Sequence, residues 1–199
     1  VAVRRLVRVL VLAGLAGLMP AVAHAEWQLK PFGGVTFGGD TTLLIDLDLQ
    51  QGKPKVNLGI SALKLGEIFG IEGDVATTAG FFSRNPTNLV LRSHVATVTG
   101  NLVVAMPKRI AQYGLRPYAV VGAGSMHVGE YDNFSALPYS NWLPAWNVGG
   151  GATGFLSDFV GVNWDVRRFQ TLGGGNTATG IGAEKLSFWR ATMGFTFRL

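Results

Sequence analysis

The stretch Trp189-Arg190-Ala191-Thr192-Met193-Gly194-Phe195-Thr196-Phe197-Arg198-Leu199 decides the fold. Trp189, Ala191, Met193, Phe195, Phe197 and Leu199 alternate with Arg190, Thr192, Gly194, Thr196 and Arg198. Successive side chains of a β-strand point to opposite faces, so one face here is apolar while the other carries arginines and threonines. A soluble sheet would bury the apolar face in a core. A membrane barrel would turn it to lipid and keep the arginines in a wet lumen.

Further up the chain the alternation repeats. Val160, Val162, Trp164 and Val166 alternate with Gly161, Asn163, Asp165 and Arg167, and Trp27, Leu29, Val35 and Phe37 oppose Gln28, Lys30, Gly34 and Thr36. Five more strands are predicted at Val56–Leu65, Phe69–Thr77, Val90–Met106, Leu115–Val128 and Val148–Leu156, giving eight. Their connections alternate in length. Gly66–Ile68, Pro107–Gly114 and Ser157–Asp158 are short, whereas Gly39–Lys55, Thr78–Leu89, Gly129–Asn147 and Phe169–Lys185 are long. An even strand count with short turns on one side and long loops on the other predicts an all-β fold, an eight-stranded antiparallel up-and-down transmembrane β-barrel. Closure is required because no backbone donor can be left facing lipid, and it also removes exposed edges.

Composition agrees with a wall in lipid. Only 15% of the 199 residues are charged, well below the roughly 25% usual in soluble domains. The chain has no cysteine, which excludes a disulfide scaffold and any thiolate-held metal. The first 25 residues are different in kind: Arg4, Arg5 and Arg8, then the apolar run Val9–Met19, then Pro20 and Ala23-His24-Ala25. That is the layout of a cleavable secretory signal helix, so residues 1–25 are read as signal peptide and 26–199 as the barrel domain. The apolar run would span only about 16 Å as a helix, against a bilayer core of roughly 30 Å. The signal holds three of the 17 basic residues and none of the 12 acidic ones. The remaining chain therefore carries 14 − 12 = +2, and no nucleic-acid partner is expected.

The stretch Gly114-Leu115-Arg116-Pro117-Tyr118-Ala119-Val120-Val121-Gly122-Ala123-Gly124 resembles a strand of small OmpA/OmpX-like outer-membrane β-barrels. Gly149–Arg168 is similar to their next hairpin. Phe195, Phe197 and Leu199 resemble the C-terminal assembly signal of that family, which usually ends in Phe rather than Leu. The resemblance implies an outer-membrane location in a Gram-negative-type bacterium. It also implies contact with outer-membrane lipid, and with secretion and barrel-assembly machinery during biogenesis.

Within that frame the interior face is predicted to collect Lys30, Glu72, Asp74, Asp165, Arg167, Arg190 and Arg198 as a polar network that blocks conduction. Trp27, Tyr118, Phe159 and Trp189 are candidates for interfacial girdles. Tyr131, Phe134, Tyr139, Trp142 and Trp146 crowd one predicted long loop and suit recognition of an extracellular partner, or simply cap the rim. Ser125, His127 and Glu130 have the residue types of a hydrolytic set, but i and i+5 on one strand do not share a face. Asp46 and Asp48 supply only part of a calcium shell, and Gly173-Gly174-Gly175-Asn176 lacks the Lys-Ser/Thr of a phosphate loop. No cofactor and no metal are expected. The reading is a structural, adhesive or surface-interaction protein without catalytic activity. The alternatives are a small gated channel, a lipid A-modifying barrel enzyme and a soluble periplasmic lipocalin-like binder.

Overall fold

The computed structural model describes residues 25–41, 54–79, 92–111, 114–131, 139–172 and 186–199. They form β1 (Glu26–Thr41), β2 (Lys55–Leu65), β3 (Phe69–Ala79), β4 (Arg92–Ala105), β5 (Leu115–Tyr131), β6 (Tyr139–Phe155), β7 (Val160–Thr171) and β8 (Leu186–Arg198). Each strand pairs antiparallel with its sequence neighbours, and β1 closes on β8 from Gln28↔Arg198 to Thr41↔Leu186. The seam register shifts between Phe37 and Asp40, where Gly38 takes φ 59°. That left-handed conformation costs glycine nothing and lets the ladder absorb an extra residue.

The short connections are tight. Gly66 N donates to Phe69 O at 2.9 Å, and Leu156 N donates to Val160 O at 2.9 Å. They lie at the end that carries both ends of the barrel domain. The long connections lie at the other end.

Faces are inverted relative to a soluble sheet. Outward positions carry Leu58, Ile60, Ile71, Leu102, Val121, Val148, Val166 and Met193, all exposed. Inward positions carry Lys30, Asn57, Glu72, Asp74, Asn101, Arg116, Asn163, Arg167 and Arg190, all buried. A soluble lipocalin-like binder needs a wet wall and an apolar cup, so this distribution overturns that alternative. Among the described residues two apolar clusters form in the interior. Val95, Met126, Ala145, Phe169, Leu186 and Phe188 cluster toward the long-connection end, and Leu63, Leu65, Val103, Ala105, Tyr118 and Val120 toward the short-turn end.

One strand begins much earlier than its composition predicts. The segment Tyr139–Asn147 reads as loop because of its Ser, Asn and Pro, yet it is the first half of β6. Trp142 and Trp146 therefore stand on the outward face of a strand, which corrects their assignment to a recognition loop. Pro144 is tolerated there because Leu172 N donates to Pro144 O at 2.8 Å, just past Thr171, where β7 ends. The amide hydrogen that proline lacks would point to the same side, at the very end of the β6–β7 ladder rather than within it.

A charged lumen as candidate functional site

Strand alternation sets which residues face inward, and register sets their height. The carboxylates come mainly from β3. Glu72 and Asp74 share its inner face, and β7 and β8 bring guanidinium groups across the lumen. Arg190 is bidentate on Asp74, with Nη1 to Oδ1 and Nη2 to Oδ2 both at 2.9 Å. Arg167 donates from Nη1 to Glu72 Oε1 at 2.7 Å and from Nε to Asp165 Oδ1 at 2.7 Å, and its Nη1 lies 4.0 Å from Asp74 Oδ2. Both arginines are buried, and ions removed from water are held only where each finds counter-charge and hydrogen bonds.

Neutral side chains complete the belt. Asn101 Nδ2 donates to Glu72 Oε1 at 3.0 Å, and Asn147 Nδ2 donates to Asn101 Oδ1 at 2.8 Å. Tyr118 OH donates to Asp165 Oδ2 at 2.8 Å while accepting from Asn163 Nδ2 at 2.7 Å. Arg190 lies between two aromatic faces, 5.0 Å from the Phe32 ring and 4.6 Å from Phe169, and Lys30 Nζ stands 5.0 Å over Tyr118. Counting Lys30, Arg167 and Arg190 against Glu72, Asp74 and Asp165, the belt is formally neutral. Small residues make the room: a Cβ on Gly151 would fall 2.7 Å from the Tyr118 hydroxyl, and one on Gly122 would collide with the Asn101 amide.

Six of the seven residues predicted for the interior network are thus gathered in one layer or against it. Arg198 is the correction. It shares the inward parity of Arg190 but lies eight residues further along β8, about 26 Å at ~3.3 Å per residue. There it pairs with Glu26 (Nε to Oε2, 3.1 Å) and donates from Nη1 to Asp158 O at 3.0 Å. Glu26 also accepts from Lys108 Nζ at 2.8 Å, so the short-turn mouth has its own ion cluster. Tyr118 is a second correction: it is no girdle residue, because it shares a face with Arg116 and Val120 and is buried. Arg116 anchors the turns, donating from Nε to Met106 O at 2.8 Å and from Nη2 to Gly66 O at 3.1 Å. A cavity of about 10 Å³ beside Gln28, Lys30, Arg116 and Tyr118 has room for about one water molecule.

Other candidates fall elsewhere. Trp27, Phe159 and Trp189 are outward, with Lys64 Nζ 5.6 Å over Trp27 and the Arg168 guanidinium 5.7 Å over Trp189. Phe195 and Phe197 face outward on β8, and Leu199 N donates to Trp27 O at 2.9 Å. Tyr131 ends β5 and Tyr139 opens β6. Phe134, Asp46, Asp48, residues 173–176 and the first 24 residues lie outside the described residues. Ser125, His127 and Glu130 are all on β5, and the His127 ring packs against His94 and Trp142. Among the described residues no group of three or more His, Cys, Asp or Glu is arranged to hold a metal.

Comparison with solved structures fixes the architecture. Neisserial surface protein A superposes at a TM-score of 0.66 with 10% identity, over 87% of this chain and 97% of that one. The outer-membrane protein OprG of Pseudomonas aeruginosa superposes at 0.55 with 14% identity, over 89% and 97%. The attachment invasion locus protein Ail of Yersinia pestis, in complex with the heparin analogue sucrose octasulfate, superposes at 0.50 with 16% identity, over 86% and 99%. The chain has the fold of the small outer-membrane β-barrels. No protein-family model matches the sequence, and no curated protein matches it.

Proposed function

We propose that this protein is a non-catalytic outer-membrane barrel with a sealed lumen, whose working surface is the long-connection end displayed outside the cell. The observation that carries the reading is the layered interior, in which a neutral ion-pair belt is sandwiched between two apolar clusters. An eight-stranded barrel has space only for its own side chains, and here those side chains hold each other. The exposed apolar belt supports placement in lipid. An attachment role draws support from Ail, a protein named for attachment and crystallised with a heparin analogue. His127 has its ring against two aromatic neighbours, an arrangement that favours wall packing over a role as general base.

Three measurements test this. An epitope inserted between Ala136 and Leu137 is expected to bind antibody on intact cells; binding only after permeabilisation would overturn the orientation. In planar bilayers the protein is expected to give no steady current, and a large, stable single-channel conductance would overturn the sealed lumen. Loss of cell binding to immobilised heparin on deletion of the protein is the expected adhesive phenotype.

A further inference from the structure

The outer wall carries a feature that neither the lumen nor the lipid belt explains. His94 on β4 and His127 on β5 are diagonal neighbours, because His94 pairs with Gly129 and His127 pairs with Ala96. Both positions are on the outward parity of their strands, opposite the buried Val95 and Met126. Their ring centroids are 5.6 Å apart, with planes tilted by 39°. Trp142, opposite His127 on β6, packs its ring 4.8 Å from the His127 ring. Gly129 and Ala96 add almost no bulk beside the two imidazoles.

We propose that His94 and His127 form a surface site for a divalent transition-metal ion of the copper, nickel and zinc class. Imidazole nitrogen is the ligand these ions share. A metal sits about 2.0–2.1 Å from an imidazole nitrogen, hence roughly 3.2 Å from each ring centre. Two such arms span 5.6 Å when they meet at about 120°, close to the tetrahedral and trigonal angles these ions accept. The rings already stand at that separation, so a common metal position lies within reach of one nitrogen of each. Placement also fits. Trp142 lies three residues beyond Ala145, the last β6 residue paired with β7, and it is 58% exposed. The site therefore stands where the β5–β6 hairpin rises past the end of β7, and water can complete the coordination shell.

Trp142 supplies the readout, since a paramagnetic ion held by His127 quenches a neighbouring indole. The tag-free chain, refolded in detergent, is titrated with Cu²⁺ while tryptophan emission is followed, and binding is measured separately by calorimetry. The expected result is saturable quenching of one tryptophan's share of the emission, reversed by excess Zn²⁺. His94→Gln is expected to weaken Cu²⁺ binding by at least the roughly tenfold that losing even an outer-shell partner costs. Trp142→Phe is expected to keep the calorimetric binding and lose the quenching. Equal titrations of the parent chain and His94→Gln would overturn the site. So would the absence of saturation in the parent chain below millimolar metal, a result that needs no variant to fold.

Discussion

The sharpest test of the lumen is the pair Asp74–Arg190. Arg190 is 1% exposed, its two terminal nitrogens bind the two Asp74 oxygens at 2.9 Å, and Phe32 and Phe169 flank its plane. Replacing Asp74 with Leu leaves that guanidinium between aromatic faces without its counter-charge. The other belt carboxylates, Glu72 and Asp165, are already engaged by Arg167. Breaking one half of a buried pair costs about 3–5 kcal/mol. Arg190→Met strands the carboxylate less completely, because Arg167 Nη1 lies 4.0 Å from Asp74 Oδ2, so its cost belongs at the lower end, about 3 kcal/mol.

The double variant Asp74→Leu/Arg190→Met removes both charges and returns similar volume, and buried pairs replaced in this way are neutral or gain about 1–4 kcal/mol. It is expected to recover most of the stability that either single change loses. The assay is denaturant unfolding of the detergent-refolded protein, followed by tryptophan emission and by heat-modifiable migration on gels. Singles that each cost less than about 1 kcal/mol would refute the reasoning, because that is the behaviour of ion pairs in contact with solvent. A double variant costing the sum of the singles would refute it as well, since the two groups would then not be coupled.

Three further outcomes follow from the same architecture. Gly151→Val drives a side chain onto the Tyr118 hydroxyl and the Trp164 carbonyl, and is expected to lower the unfolding midpoint and the folded yield on heat-modifiable gels. Val121→Arg puts a charge on the lipid face between Leu102 and Val148, and is expected to cost about 2–4 kcal/mol in vesicle refolding equilibria. Phe197→Ala is expected to reduce assembly in cells while refolding from urea proceeds normally; equal loss in both would mean a packing defect rather than a lost assembly signal.

Alternation made most of this fold legible, because a strand's two faces can be read directly from residue order. It alone places Lys30, Glu72, Asp74, Asp165, Arg167 and Arg190 on one interior. Height was not legible in the same way. Arg198 and Arg190 have the same parity, and only the β7–β8 and β1–β8 registers show that one belongs to the mouth and the other to the belt. Tyr118 carried a usable signal, its shared parity with Arg116, but an aromatic near a strand end reads more readily as a girdle. Trp142 and Trp146 were obscured by Pro144 and the asparagines around them. Composition calls that stretch a loop, while Leu143, Ala145 and Asn147 still alternate with the bulkier outward residues. Asn101, Asn147 and Asn163 were not foreseen as belt members, because a neutral amide declares no partner until its neighbours are known.

The belt's geometry bears on what the interior is for. In a ring of eight strands β3 lies opposite β7 and three strands from β8, so Arg167–Glu72 and Arg190–Asp74 are struts across the lumen rather than ladder neighbours. Such contacts cannot form in an open sheet, where β3 is separated from β7 and β8 by the intervening strands. They exist only after β1 has met β8, and their free energy therefore favours the closed ring specifically. The same side chains that would have to part to admit a solute are those that hold closure. A lumen committed to closing its own wall leaves recognition to the two ends and the outer face, and β5 and β6, at 17 residues each, are the longest strands reaching the long-connection end.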